Sequence, residues 1–231
     1  MRINDRRKLL TQQDYSRISK IYADDFGRDR YHFDFIDQTI KLFRDRKLYQ
    51  LPVVDLGSGP GVVTDFLFEN GVRNIVAIDI VPEFCKMIKA KHGDGVKVIC
   101  NDMVEVLNKE DNSSIAAYIA NFSINHVPEE EIDQLLSNIK RSLVPGGLFL
   151  MSCHKGTFKG MEQESYQTQK DPRLNVKKEL LTYMNYFTED ELTNRVEKTG
   201  MKIVRLETFE PKIVPGEFPV PKIWLLAQKM L

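Results

Sequence analysis

The sequence predicts an α/β protein built on a doubly wound, mainly parallel sheet, and three observations carry that prediction. From residue 51 onward, short β-rich runs alternate with segments whose apolar residues recur at helical spacing. The first run, Val53-Val-Asp55-Leu-Gly57-Ser58-Gly59-Pro-Gly61, ends in three glycines spaced two apart and passes at once into a helical pattern. Such a turn lets backbone come within touching distance of a ligand, because side chains are absent where the approach is closest. Polar residues, three of them acids, then stand at the ends of successive strands.

Residues 11–47 precede the sheet and carry apolar positions at helical spacing: Tyr15, Ile18, Ile21, Tyr22 and Phe26, then Phe33, Ile36, Ile40 and Phe43. Thr11 with Asp14 three residues on reads as a helix start. These helices make residues 1–50 an N-terminal helical cap on a core of 51–231. Strands are expected at 51–56, 74–79, 96–100, 115–121, 147–153, 202–210 and 221–229. Pro82 suits a first helical position before Phe84, Met87 and Ile88, and Gly93 closes that segment. Pro128 followed by Glu129, Glu130 and Glu131 opens another helix, its acids at the positive end of the dipole. Ile132, Leu135, Leu136, Ile139 and Leu143 form its stripe, and Pro145-Gly146-Gly147 ends it. Thr188 and Glu191 form a capping box for a last helix that stops near Gly200. The final two strands follow without a helix between them and should pair antiparallel. Residues 155–185 are polar, interrupt the alternation and read as a loop or lid over the strand ends.

Composition bounds the partners. A chain of 231 residues holds one elaborated α/β domain with a sizeable core. Its 42 % hydrophobic and 29 % charged residues fit a folded globular chain. Basic and acidic residues balance at 33 each, so no global field holds a polyanion and nucleic acid is not expected. The N-terminus lacks the apolar core of a signal peptide, and apolar runs are too short for a bilayer, so a cytoplasmic location without membrane contact is expected. Cys85, Cys100 and Cys153 show no Cys-x-x-Cys spacing and read as reduced thiols, with Cys85 and Cys100 in apolar patterns expected in the core. The four histidines lack metal-ligand spacing, and no metal is assigned.

In an open α/β sheet the ligand sits at the carboxyl ends of the strands. Four ends carry suitable groups here, at intervals near 23 residues: the turn after Asp55, then Asp79, Asp102 and Asn121-Phe122-Ser123. Asp79, 22 residues beyond Gly57, can accept hydrogen bonds from both hydroxyls of a ribose, and Asp102 can take an exocyclic amine. The ligand is then a dinucleotide or an adenosine with a charged sulfonium tail. Dinucleotide turns favour Gly-x-Gly-x-x-Gly facing pyrophosphate. Here the spacing is Gly-x-Gly-x-Gly after Asp55, whose carboxylate would repel pyrophosphate and suit an ammonium.

On these residues the chain resembles the class I S-adenosylmethionine-dependent methyltransferases, in their small-molecule branch. The likeness spans about residues 12–231 and also rests on Asn101-Asp102-Met103, Phe122-Ser-Ile-Asn-His126-Val-Pro128, Leu143–Gly147 and Pro215-Gly-Glu-Phe-Pro…Trp224-Leu-Leu-Ala-Gln. It implies a Rossmann-like seven-stranded sheet, mainly parallel with an antiparallel last strand, and S-adenosylmethionine as cofactor with S-adenosylhomocysteine as product. By the same resemblance, the turn Gly57–Gly61, with Ser58, Gly59 and Asp55, holds the amino-acid end. Asp79 holds the ribose, Ile80 flanks the adenine, Asp102 and the Met103 backbone face its amine, Asn121 and Phe122 lie below the methyl, and Tyr15 and Tyr22 close the pocket. The acceptor is expected to be a small molecule.

Methyl transfer from a sulfonium is an in-line displacement, and a base is needed only when the acceptor starts protonated. His126 and His154 follow the fourth and fifth strands on the acceptor side, where an imidazole can take that proton. The plainer readings are a His126 that packs on Pro128 and bonds backbone, and a His154 that anchors the lid. Trp224 reads as packing. The rival functions are a non-catalytic binder of the same nucleosides and an NAD-dependent oxidoreductase. The acceptor and the oligomeric state are not legible.

Overall fold

The alternating runs pair into one seven-stranded sheet flanked by helices. The structure, a computed structural model, describes residues 3, 5–46, 48–211 and 219–230. Residues 215–218 of the closing motif lie outside them. In chain order the elements are α1 (Arg6–Phe26), α2 (Asp34–Asp45), β1 (Val53–Leu56), α3 (Val62–Glu69), β2 (Ile75–Asp79), α4 (Pro82–His92), β3 (Lys97–Cys100), α5 (Met103–Leu107) and β4 (Ile115–Asn121). Then come α6 (Glu129–Ser142), β5 (Leu143–His154), β6 (Lys159–Gln163), α7 (Ser165–Thr168), β7 (Leu181–Asn185), α8 (Glu189–Lys198), β8 (Met201–Phe209) and β9 (Lys222–Lys229).

The sheet runs β3-β2-β1-β4-β5-β9-β8, and β9 is antiparallel to both neighbours while the other pairings are parallel. The chain winds outward from β1 to β3 and then returns to β4 on the other side of β1. That reversal opens a crevice beyond the carboxyl ends of β1 and β4, where the glycine turn and Asn121 stand. Strands covered on both faces need continuous apolar runs, and β4 is buried along nearly its whole length. One face is filled by α2 and α3 through Phe35, Ile36, Ile40, Phe43 and Leu67. The other is filled by α5, α6 and α8, with Ile132, Leu135, Leu136 and Ile139 forming the stripe of α6. Each such side chain contributes about 1.5–3 kcal/mol of burial.

The punctuation around α4 and α8 holds: Pro82 opens α4, and the Thr188 hydroxyl accepts from Glu191 N at 3.1 Å. Elsewhere the structure corrects the sequence reading. Helix α1 starts at Arg6, capped by Asp5, whose carboxylate accepts from Arg7 N at 2.7 Å. Thr11 and Asp14 instead turn their oxygens to the lid, accepting from Tyr183 N at 2.9 Å and Leu181 N at 2.6 Å. The pattern was that of a cap, but the amides served belong to a distant strand. Residues 143–147 belong to β5 rather than to a helix end, because Leu143 pairs with Ile115 before a register shift. The lid is no plain loop: β6 and β7 form an antiparallel pair joined through α7. Its polar sequence hid strands that are short and find their partners on each other and on α1. Cys85 is buried as expected, but Cys100 is exposed, since β3 is the sheet edge. Of the two N-terminal helices, α1 reaches over the strand ends to β7, whereas α2 lies on the sheet against β4 and β5.

Candidate functional site

The glycine turn is held from below and open above. Gly57 N and Ser58 N donate to the Ile78 carbonyl at 2.8 and 3.0 Å, tying the turn to β2. Gly57 has φ +65°, and a Cβ there would lie 2.3 Å from Ser123 Cβ, so no other residue fits. Gly59 has φ +53°, the place of its missing Cβ is empty to 4 Å, and the residue lines the cavities that open from the turn. Asp79 clamps the turn from β2: one oxygen accepts from Gly59 N and the other from Val81 N, each at 2.7 Å. Asp55 is 1 % exposed and accepts from the Thr64 hydroxyl at 2.7 Å. Burial pushes its carboxyl up to about 7, and burial pushes Asp79 up to about 6.

Two adjoining cavities open from this turn. One runs along Ile78, Asp79, Ile80, Phe84, Asp102 and Met103 toward the sheet edge. The other lies between the turn and the lid, and includes His154, Glu164, Thr182, Met184 and Lys222. They meet at Tyr15, Tyr22, Gly57, Gly59, Asn121, Phe122 and His126, which line both. The structure therefore gathers all the residues expected from sequence around one crevice except Gly61, which caps α3 behind the turn. Phe122 stands at φ +52°, a conformation rare for an aromatic residue and held by hydrogen bonds from its amide to Ser152. Asn121 accepts from the Ser152 hydroxyl at 2.8 Å, which fixes the end of β4.

Asp102 differs from its expected role in one respect. Its oxygens are engaged by Val104 N at 2.9 Å and by Lys8 Nζ at 2.6 Å. Lys8 also bonds Glu131, and these bonds raise its pKa although burial opposes the charge. Lys8 lies ahead of any motif, Glu164 and Thr182 lie in the polar segment read as a loop, and Lys222 opens the last expected strand, where a lone lysine reads as a solvated strand end. Sequence reasoning missed all four. A buried charge on a polar lid leaves no local signal.

The two histidines are not alike. His126 Nδ1 lies 2.8 Å from the Tyr183 carbonyl, which can only accept, so the ring proton is on Nδ1. Nε2 is then the basic atom, 3.2 Å from the Tyr15 hydroxyl. Burial lowers the pKa of His126 and raises that of Tyr15 well above its usual value, so a neutral imidazole accepts from a neutral phenol. His154 Nδ1 accepts from Asn125 Nδ2 at 3.2 Å, which leaves the proton on Nε2. Burial, with Lys222 and His126 adding to it, pushes His154 down to about 3. His154 is therefore neutral near pH 7.

Three observations fit the sulfonium nucleoside. Ser58 Oγ is buried with no partner among the described residues, a donor kept for something else. The open place at Gly59 admits a ligand against backbone. Asp55 has no cation beside it among the described residues, and its raised pKa is the state an incoming ammonium would reverse. Among the described residues no cluster of His, Cys, Asp and Glu has the makings of a metal site, and no helix is long and apolar enough to cross a membrane.

Comparison with known proteins agrees with this geometry. Residues 53–147 match the family described as methyltransferase domain. A carboxy-S-adenosyl-L-methionine synthase from Shewanella oneidensis is 29 % identical over 146 residues, covering 59 % of this chain; the chain spans 58 % of that relative's length. Among solved structures, the 1,6-didemethyltoxoflavin-N1-methyltransferase of Burkholderia thailandensis, with S-adenosylhomocysteine bound, superposes with a TM-score of 0.63. It shares 18 % identity over 96 % of this chain and 88 % of its own. A SAM-dependent methyltransferase from Archaeoglobus fulgidus gives a TM-score of 0.61 at 17 % identity, over 90 % of this chain and 98 % of its own. At these identities the structures speak for the fold.

Proposed function

We propose that this chain, a member of the class I S-adenosylmethionine-dependent methyltransferase family, moves the cofactor's methyl group to an O, N or C atom of a small-molecule acceptor. The observation that carries the reading is the meeting of two cavities at Tyr15, Asn121, Phe122 and His126, beside a glycine turn clamped by Asp79. One cavity suits an adenosine and the other an acceptor, so a methyl group would pass where they join.

S-adenosylmethionine supplies an electrophilic methyl on a sulfonium whose leaving group needs no proton. The chain's task is alignment in a dry pocket, worth roughly 7–11 kcal/mol when the geometry is good. Asp55, Ser58 and the backbone of Gly57 and Gly59 would bind the amino-acid end, and Asp79 the ribose. Ile80 and Met103 would flank the adenine near Asp102. Asn121 and Phe122 would form the floor under the methyl group, with Tyr15 and Tyr22 excluding water from above. When the acceptor arrives protonated, its proton would go to the Tyr15 oxygen as the Tyr15 proton passes to His126 Nε2. His154, neutral and lining the same chamber, would help to position the acceptor.

Calorimetry with S-adenosylhomocysteine tests the reading, and thermal shifts with that nucleoside and with NAD separate it from the oxidoreductase alternative. Micromolar uptake of the nucleoside without response to NAD is expected. Folded protein that binds neither loses the case. Transfer of a labelled methyl group to a metabolite pool separates an enzyme from a non-catalytic binder.

A further inference from the structure

The acceptor chamber is lined by two acids, Glu164 and Asp29, and by one lysine, Lys222. Glu164 lies on the lid, 4 % exposed, and its carboxylate accepts only from neutral donors, Tyr166 N at 2.8 Å and the Ser165 hydroxyl at 3.1 Å. No lysine, arginine or histidine forms an ion pair with it among the described residues. Asp29, exposed at the mouth of the same chamber, accepts from Tyr31 N at 3.1 Å. Between α1 and the lid stand aromatic rings: Tyr15 and Tyr22 meet edge to face at 5.4 Å, and Tyr22 and Phe26 lie 5.0 Å apart. The lysine lines the same chamber from the sheet side: Lys222 pairs across the register with His154, its ammonium 5.9 Å from the centre of the Phe122 ring.

A buried carboxylate facing a cavity walled by aromatic rings is the chemistry that recognises an ammonium, by ion pairing and by attraction to the ring faces. We propose that the methyl acceptor is an amine that arrives as an ammonium ion, held by Glu164 within the aromatic wall of Tyr15 and Tyr22 and guided in past Asp29. The inference rests on the methyltransferase reading above and names its substrate class. Burial pushes the Glu164 carboxyl up to about 7 in the absence of such a partner, and the fields of Glu164 and Asp29 both act on Tyr22. An ammonium would restore the charged carboxylate.

The step balances with the groups present. The ammonium gives one proton to the Tyr15 oxygen while Tyr15 gives its own to His126 Nε2. The nitrogen lone pair then forms the new N–C bond as the S–C bond breaks and sulfur keeps that electron pair. The product is a methylated ammonium that keeps one positive charge beside Glu164, and His126 returns its proton to water.

The test is made on protein saturated with S-adenosylhomocysteine, by titrating tetramethylammonium and benzylammonium against benzyl alcohol and benzoate in a calorimeter. Both cations are expected to bind, and benzylammonium more tightly than its neutral and anionic counterparts. Glu164→Gln, which keeps an acceptor for Tyr166 N, should weaken cation binding at least tenfold. Asp29→Asn, at an exposed position that does not threaten folding, should weaken it by a smaller factor. Benzoate binding more tightly than benzylammonium, or cation binding indifferent to both substitutions, overturns the proposal. Protein that takes up no S-adenosylhomocysteine refutes the methyltransferase reading and this one with it; uptake of that nucleoside without a cation site refutes this one alone.

Discussion

Tyr15 and His126 meet through a hydrogen bond of 3.2 Å between the phenol and Nε2, and the Tyr183 carbonyl, 2.8 Å from Nδ1, sets its polarity. The lid thus decides which nitrogen is basic. The backbone partner lies in β7 rather than at the start of α6, where the plainer sequence reading expected it, and it leaves Nε2 as the atom that would act as the proposed base.

Replacing His126 with alanine should then lower kcat by about 10²–10⁴-fold, the usual contribution of a general base. Tyr15→Phe, which cuts the same path, should lower kcat by more than it raises the cofactor Kd. Burial holds the His126 pKa below its ordinary value, so the neutral form persists into mild acid. The kcat profile should stay level from pH 8 down to about 6.5, the unperturbed histidine value, and fall only below it. An acid limb centred above that value would refute the assignment.

Asp55 and Asp79 make stability fall as pH rises. Their carboxyls titrate near 7 and 6 when folded but near 3.8 when unfolded. Between those values the folded chain keeps protons that the unfolded chain has lost, so the contribution is full below pH 3.8 and gone above about 7. A shift of three pKa units corresponds to at most about 4 kcal/mol. Asp55→Asn removes the buried charge, and its melting temperature at pH 8 should exceed that of the unaltered protein, with the gap closing at pH 5. The same variant should fail to bind S-adenosylhomocysteine in a calorimeter. A variant that melts lower at pH 8 would show that Asp55 is stabilised by something other than its protonation.

The two inner glycines should part company on substitution. Gly57→Ala drives a Cβ into Ser123 and should abolish the folded protein at 37 °C. Gly59→Ala meets nothing within 4 Å and costs only the strain of a left-handed residue, about 1 kcal/mol. It should fold, with a circular dichroism spectrum unchanged, yet lose affinity for S-adenosylhomocysteine by tenfold or more, because its methyl group occupies the ligand's place. Equal affinity would mean that the ligand does not approach Gly59.

The strand ends were legible because their logic is local. Asp55, Asp79 and Asn121 each follow a run whose periodicity marks it as a strand, and topology alone brings such ends to one crevice. The lid was not, because its meaning is tertiary. Thr11 and Asp14 carry the spacing of a helix cap while their oxygens serve Tyr183 and Leu181, some 170 residues away by sequence. Glu164 and Lys222 gain their chemistry from burial that no pattern announces. A polar group such as Glu164 in the lid, or Lys222 at the start of β9, acquires a role only when another element covers it.

Lys8 lines the cavity beside Asp102, the side proposed for the adenine, and its removal should open it. Its ammonium bonds Asp102 at 2.6 Å and Glu131 as well, so α1 is fastened to α5 and α6 by one buried cation. Breaking a buried pair from one side leaves a carboxylate uncompensated and costs about 3–5 kcal/mol where both partners are dry. Here Glu131 is partly exposed, which reduces the penalty, and the loss should fall on the attachment of α1 rather than on the whole fold. Lys8→Met should therefore raise hydrogen exchange along α1 while the sheet stays protected, and S-adenosylhomocysteine should dissociate faster. Asp102→Asn in the same chain removes the stranded charge but keeps the acceptor for Val104 N. The double variant should recover part of the lost protection, which a merely steric role for the lysine stem would not allow.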